Sequence, residues 1–147
     1  MVGAVGDLAR ESTAVMNLAR ESTAVMPRRE CLARLALEPV GRLVVPRDGL
    51  PPVVLPAIYR LAGDELLVRT AHALPPAREH PRRLILEVDR IEVDRRRGWS
   101  VVVECVARDG SPADATADDA GWLWLSIDVV RGRRLGAGAP PDPGAVW

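Results

Sequence analysis

The sequence predicts a mainly β fold, a small six-stranded antiparallel barrel with a leading helix and one or two short peripheral helices. The β-rich runs are short and are separated by turn pairs such as Asp48-Gly49 and Gly63-Asp64, a pattern typical of antiparallel barrels and sandwiches. One run, 98–109, carries apolar residues on both faces, as a strand covered on both sides does. Finally, 147 residues, 48% of them hydrophobic, suffice for one domain with a core, and closing the strands into a barrel removes exposed edges.

The leading helix is predicted over 27–38, PRRECLARLALE. Pro27 suits the first turn of a helix, where its missing N–H has no intrahelical partner to lose. The apolar residues that follow recur at helical spacing and predict one buried stripe. They are Cys31, Leu32, Leu35 and Ala36.

Three strands that form a β-meander are predicted next. Two of them lie within 40–60, on either side of Asp48-Gly49, and the third lies within 61–70. Because Pro51-Pro52 follows the first turn so closely, we expect a loop longer than the minimal two-residue hairpin.

The second half of the chain predicts three more strands, at 83–89, 98–109 and 122–135. The prolines in 71–82 allow at most one short helix there, at about 76–80. Ser111, followed by Pro112, has the residue types of a helix N-cap and first turn. Alternate residues of the fifth strand share one face: Trp99, Val101, Val103, Cys105 and Ala107.

The chain begins with a repeat, because LARESTAVM stands at 8–16 and again at 18–26. On a helix, a period of ten residues turns by ~280°, so the two copies cannot present one shared stripe. Pro27 disfavours helical geometry in the residue before it and separates the repeat from the leading helix. We therefore predict a duplicated N-terminal extension over 1–26, a barrel domain over 27–135 and a Pro/Gly-rich tail over 136–147.

The charges exclude several classes of function. There are 20 basic and 20 acidic residues, and every basic residue is Arg. Without Lys, the chain cannot hold pyridoxal phosphate as a Schiff base or form a P-loop. A neutral balance does not favour nucleic-acid binding. Because no apolar run approaches 18 residues, we expect no membrane span and a cytoplasmic protein.

The two cysteines and two histidines predict no metal or disulfide site. Cys31 and Cys105 are too far apart in sequence for a zinc spacing or a disulfide framework, and we expect both to pack as small apolar residues. His72 and His80 fit no known ligand pattern.

Five segments, in this order along the chain, resemble one known family. They are ECLARLALEPVGRLVV, PPVVLPAIY, GDELLVRTA, LEVDRIEVDRRRGWSVVVECVA and VVRGRRL. Together they span about 28–135 and are similar to the pyridoxamine 5'-phosphate oxidase-like, flavin-binding split-barrel proteins, especially the actinobacterial branch related to nitroimidazole-resistance proteins. The resemblance implies a split barrel and a homodimer, with FMN or a deazaflavin bound between the two barrels. It also implies oxidoreductase activity on a small molecule.

The same resemblance implies where the flavin phosphate would bind. Arg69 and Thr70 match a pair at the end of the third strand that meets the phosphate. A guanidinium fork beside a hydroxyl group suits a phosphate dianion.

The remaining residues that match the family correspond to its contacts with the isoalloxazine ring and to its last strands. The segment that lies along the isoalloxazine ring corresponds here to Pro56, Ile58 and Tyr59. Trp99 and Ser100 match the family's GWS, and Arg134 matches the final G-R-R strand, where it would reach a ligand or a partner subunit.

The sequence departs from the family at a G-x-K segment, whose Lys also reaches the phosphate. Here that segment reads AHALPPAR, with prolines in place of the Lys region and Arg78 as the available substitute. Two hypotheses therefore stay open. One is a flavin-dependent oxidoreductase, and the other is a split-barrel binding or storage module with weakened flavin binding and no catalysis.

Overall fold

A computed structural model describes residues 23–71, 74, 82–108 and 122–136. In these ranges one helix and seven strands form, in the order β1, α1, β2 to β7. The helix is α1, Arg28–Leu37. The strands are β1 Thr23–Met26, β2 Val40–Arg47, β3 Leu50–Ala62, β4 Glu65–Thr70, β5 Arg83–Glu92, β6 Arg97–Ala107 and β7 Leu123–Gly136.

The predicted antiparallel split barrel is confirmed. The strands lie in the order β1-β7-β4-β3-β2-β5-β6, every pairing is antiparallel, and β6 pairs again with β7 to close the ring. On its other side β7 changes partners, since Leu123–Ser126 pairs with β4 and Gly132–Leu135 pairs with β1. The change of partner along β7 splits the barrel wall.

The six barrel strands are those predicted from the sequence, and β1 is an additional strand that the sequence pattern did not predict. It is formed by the end of the second repeat copy and runs antiparallel to β7, from Thr23 opposite Leu135 to Met26 opposite Gly132. Ala24 and Met26 are buried while Val25 is 58% exposed. The predicted extension therefore contributes its last residues to the sheet.

The loop between β2 and β3 is shorter than Pro51-Pro52 predicts. Arg47 pairs with Leu50 across a two-residue turn at Asp48-Gly49, and Gly49 has φ +64°, a left-handed conformation that glycine adopts at little cost. The expectation was wrong because prolines are tolerated within this strand beside a register shift between Val45 and Arg47.

The core lies inside the barrel, under α1. On β6, four of the five residues predicted to share one face, Trp99, Val101, Val103 and Cys105, are buried, and the fifth, Ala107, is partly buried. On α1 only Cys31 and Leu35 are fully buried. Ala36, which belongs to the predicted buried stripe, is exposed. The reason is that a helix of this length touches the barrel along a narrow i, i+4 line.

Other predicted features lie outside the described residues. These are the short helix at about 76–80, the N-cap at Ser111 and the tail beyond Gly136. Within the described ranges, no helix is long and apolar enough to cross a membrane.

Candidate functional site

The outer face of β3 and β4 brings three of the predicted site residues together. Ile58 lies between Val40 of β2 and Arg69 of β4 as their cross-strand partner. Pro56 lies on the same outer row of β3, two residues away, as the period of a strand requires. Pro56, Ile58 and Arg69 are all exposed, so this face presents apolar surface beside a guanidinium group.

Arg69 differs from most of the arginines on the barrel, which are paired with carboxylates. Across the part of the chain that the structure describes, its guanidinium has neither an ion pair nor a side-chain hydrogen bond. Thr70 follows at the end of β4, opposite the buried Ala57, and is partly buried, so its side chain lies on the inner face of the sheet, the opposite face from Arg69. A cation and a hydroxyl group at a strand end can bind a phosphate.

Tyr59 points into the barrel, on the opposite side of β3 from Ile58. The residue is 7% exposed, and its hydroxyl donates a hydrogen bond of 2.7 Å to the carbonyl oxygen of Leu35. Burial raises the pKa of the Tyr59 hydroxyl well above its ordinary value. The side chain therefore connects α1 to β3 inside the barrel. On the outer face, where the Ile58 side chain lies, Tyr59 contributes only its backbone.

Trp99 is also largely buried, at 6% exposure. The guanidinium of Arg34 covers its ring, 5.7 Å from the centroid, which is within the range of a cation–π contact. Ser100, the next residue, faces the other side of β6 between Asp89 and Arg133 in the register. It is partly buried.

Arg134 forms a bidentate ion pair with Glu30 of α1. Its Nε donates to Glu30 Oε1 at 2.9 Å, and a terminal nitrogen donates to Oε2. Arg34 approaches the same carboxylate at 3.6 Å. The hydrogen bonds from Arg134, more than any other contact, hold the pKa of Glu30 below its ordinary value. The contacts of Glu30 with Arg134 and Arg34 attach α1 to β7 at the end of the barrel where Trp99 is buried.

The predicted residues thus fall into two groups on different strand pairs. One group lies on β3 and β4 and consists of Pro56, Ile58, Tyr59, Arg69 and Thr70. The other lies on β6 and β7 and consists of Trp99, Ser100 and Arg134, with Trp99 opposite Arg134. Arg78 lies outside the described residues, as do His72 and His80.

A charged cluster on the outer face of β2 and β5 was not among the features predicted from the sequence. Arg42 lies opposite both Pro56 and Glu87, and one of its terminal nitrogens is 3.3 Å from Glu87 Oε2 and 3.8 Å from Asp89 Oδ2. Burial, followed by the nearby Asp89 charge, raises the pKa of Glu87. Taken alone, the sequence favours local pairing of these acids in a charged turn. Their spacing of two was the available signal, because it places both carboxylates on one face of a strand.

Comparison with known proteins is consistent with this architecture. A family model described as pyridoxamine 5'-phosphate oxidase matches residues 27–133. No curated protein matches the chain.

Solved structures with the same fold include two described as FAD-binding proteins. The one from Mycobacterium smegmatis is 24% identical, with a TM-score of 0.61 over 77% of this chain and 98% of its own. The one from Mesorhizobium loti is 21% identical, with a TM-score of 0.63 over 78% of this chain and 98% of its own. A structure from Bacteroides thetaiotaomicron, described as a putative 5-nitroimidazole antibiotic resistance protein, is 10% identical, with a TM-score of 0.52 over 78% of this chain and 89% of its own.

Proposed function

Because this chain belongs to the pyridoxamine 5'-phosphate oxidase family, we propose that it is a flavin-binding protein, with FMN as its cofactor, and that it acts as an oxidoreductase on a small molecule. The single observation that carries the proposal is the exposed, unpaired guanidinium of Arg69 beside the apolar outer face of Ile58, among the residues that the structure describes. A flavin mononucleotide has the matching halves, a phosphate dianion and a flat aromatic ring.

The residues of β3 and β4 fit these two halves of the cofactor. Arg69 would hold the phosphate on the outer face through charge-assisted hydrogen bonds, and Thr70, whose side chain lies on the other face, would reach it only around the end of β4. The backbone and apolar side chains of Pro56 and Ile58 would lie against the ring. When bound, the isoalloxazine supplies the hydride chemistry, while the protein supplies position and electrostatics.

We propose that the protein works as a homodimer, with the cofactor held between the two barrels. The support is an apolar row on the outer face of β2 and β3. Its members Val40, Val54 and Ile58 are 55%, 55% and 46% exposed, and Val40 lies directly opposite Ile58. Exposed apolar side chains that are neighbours on a sheet, unlike scattered ones, are typical of an interaction surface.

The alternative is a split-barrel binding or storage module that binds flavin weakly and has no catalysis. The sequence AHALPPAR where the family has G-x-K favours it, since the chain has no Lys to place on the phosphate and only Arg78 as a substitute. The absence of a conspicuous acid or base from the described residues does not decide between the two, because a flavin can carry the chemistry.

Titration of the purified full chain with flavins tests the proposal. Aliquots of FMN, FAD and an oxidised deazaflavin are added separately, and cofactor fluorescence and absorbance are recorded together with the oligomeric state by light scattering. We expect saturable binding of FMN by a dimer. A protein that changes the spectrum of none of the three would contradict flavin binding.

A protein that binds FMN separates the two hypotheses in a second step. Photoreduced FMN bound to the protein is mixed anaerobically with nitroaromatic or quinone acceptors and, in a separate experiment, with oxygenated buffer. Reoxidation that is faster on the protein than in free solution supports an oxidoreductase, and equal rates support the binding module.

A further inference from the structure

The place of β1 in the sheet is defined by a small number of close contacts. Met26 is 3% exposed and Ala24 is 5% exposed, both facing inward. Opposite Met26, β7 has Gly132, and a Cβ built there would lie 2.7 Å from Cε of Met26 and 2.4 Å from Sγ of Cys31. The missing side chain of Gly132 thus makes room for a methionine at this position of β1. We call the edge of β7 from Gly132 to Leu135, with the space beside Gly132, the β1 slot.

The segment that fills the β1 slot occurs twice in the chain. Residues 13–16 read TAVM, as residues 23–26 do, and the preceding residues LARES are also the same in both copies. Strand pairing depends on the backbone and on the alternating side chains, and both are the same in the two copies. We propose that the β1 slot also accepts Thr13–Met16, so that either copy of the repeat can serve as β1 of the same molecule.

The connection to α1 decides which copy is favoured. With Thr23–Met26 in the slot only Pro27 separates β1 from α1, and the Pro27 carbonyl accepts hydrogen bonds from the N–H groups of Glu30 and Cys31 at 3.0 and 3.1 Å. With Thr13–Met16 in the slot, residues 17–27 become the connection. The entropic cost of closing a loop grows only with the logarithm of its length. The second copy is therefore the major occupant, and the first copy is an accessible substitute.

The exchange does not require α1 to leave the barrel. The helix is held by the ion pair of Glu30 with Arg134 and by the hydrogen bond from Tyr59 to Leu35. Leu35 and Cys31 are also fully buried. None of these contacts involves the repeat, apart from the weak hydrogen bond of Cys31 Sγ to the Met26 carbonyl at 3.6 Å. That bond is made to the backbone, so Met16 can accept it equally.

The substitute acts within one chain rather than between chains. A tether of this length keeps the first copy near its own slot at an effective concentration on the order of millimolar. Below that protein concentration, pairing with the slot of a second molecule is the less favourable reaction.

Aspartate substitutions in the full-length protein test the proposal. The variants are Met16→Asp, Met26→Asp and the double variant, and Val25→Asp is the matched control because Val25 lies on the same strand but is exposed. An aspartate in the slot is a buried unpaired charge and excludes that copy. We expect Met16→Asp and Val25→Asp to melt close to the unmodified protein. The double variant should melt at least ~5 °C below Met26→Asp, because only in the double variant is no copy left to fill the slot.

Hydrogen exchange of residues 132–135 supplies the second measurement. We expect these amides to stay protected in Met26→Asp and to lose protection in the double variant. Equal melting temperatures and equal exchange in Met26→Asp and the double variant would overturn the proposal, as would a Met26→Asp protein that does not fold. Protection in Met26→Asp that depends on protein concentration and comes with a larger oligomer would also overturn it, since the first copy would then act between chains.

Discussion

Glu30 shows how a single charged residue fixes the position of a whole helix. Its carboxylate lies between Arg134 of β7 and Arg34 of its own helix, and Arg34 in turn covers Trp99. The carboxylate thus joins the helix, the last strand and the aromatic residue at the end of the barrel. Arg69 has no carboxylate partner among the described residues, so Arg69 and Arg134, two of the three arginines predicted as site residues, have opposite surroundings.

The pH dependence of stability should report on Glu30. Its folded-state pKa is lowered from the ordinary value of 4.5, first by the hydrogen bonds from Arg134. A lowered carboxyl pKa stabilises the folded state above the unfolded pKa, and this contribution is lost as the pH falls through the folded pKa. We expect Glu30→Gln to be less stable than the unmodified protein at pH 7, with the difference shrinking below pH 4.5. Urea unfolding at a series of pH values measures this.

The control for this experiment is Glu104→Gln, which breaks the exposed pair of Glu104 with Arg131 of β7. Exposed pairs contribute little to stability, so we expect almost no change. A constant difference between Glu30→Gln and the unmodified protein from pH 7 to pH 3 would contradict the role given to the Glu30 carboxylate.

Substituting Arg69 tests the proposed phosphate contact. We expect Arg69→Ala to weaken FMN binding by on the order of 1.5–3 kcal/mol, which is roughly 10- to 150-fold in the dissociation constant. Fluorescence titration measures it. Arg83→Ala is the control, because Arg83 is also an exposed strand arginine but pairs with Asp128. If both variants bind FMN like the unmodified protein, the phosphate binds elsewhere.

The strand β7 pairs with more strands than any other strand that the structure describes. It pairs with β6 along almost its whole length and divides its other side between β4 and β1. Gly132 lies where β1 and α1 both approach it, and this position has no room for a side chain. A single glycine therefore permits a strand and a helix to pack at one point.

Adding a methyl group at Gly132 should destabilise this junction. We expect Gly132→Ala to lower the free energy of unfolding by on the order of 1–3 kcal/mol, as overpacking of a core does. The Cys31 sulfur is the nearest atom to the added Cβ, so Cys31→Ala should rescue part of the loss. Chemical denaturation of both single variants and the double variant gives the coupling. Strictly additive effects would show that the sulfur is not what the new methyl group meets.

At the scale of the whole molecule, local sequence patterns predicted the six strands of the barrel but did not predict β1. The turns at Asp48-Gly49 and Gly63-Asp64 and the alternation from Trp99 to Cys105 are local signals, and the strands they predicted were found. The sequence could not reveal β1, because four residues without a turn signal become a strand only through their pairing with Gly132–Leu135.

The positions of the candidate residues relative to one another could be predicted only in part. The resemblance named Arg69 and Ile58, which lie side by side on the sheet. It also named Arg134, but the pairing with Glu30 joins residues far apart in sequence, and no local pattern contains that information. For the cluster of Arg42 with Glu87 and Asp89, the spacing of two indicates only that the two carboxylates share a face, and their pairing with Arg42 depends on the register between β2 and β5.

Truncations test how much of the chain the barrel needs. We expect the protein without residues 1–16 to fold and to bind flavin like the full chain, because β1 is retained. Removing residues 1–26 should lower the melting temperature markedly, because the buried side chains of Ala24 and Met26 are lost. Differential scanning calorimetry and flavin titration of both proteins measure this. Aggregation or loss of ligand on removing only residues 1–16 would show that the first copy packs on the barrel or on a dimer.

The position of β1 directly before Pro27 also has a genetic consequence. The repeat is a tandem duplication with a period of ten residues, so a change in copy number removes or adds whole ten-residue units. Loss of one unit from DLARESTAVMNLARESTAVMPRRE leaves DLARESTAVMPRRE, in which TAVM still stands immediately before the proline. Gain of a unit leaves the same junction. The barrel therefore keeps its first strand at any copy number of one or more, and the fold does not constrain how many copies precede Pro27.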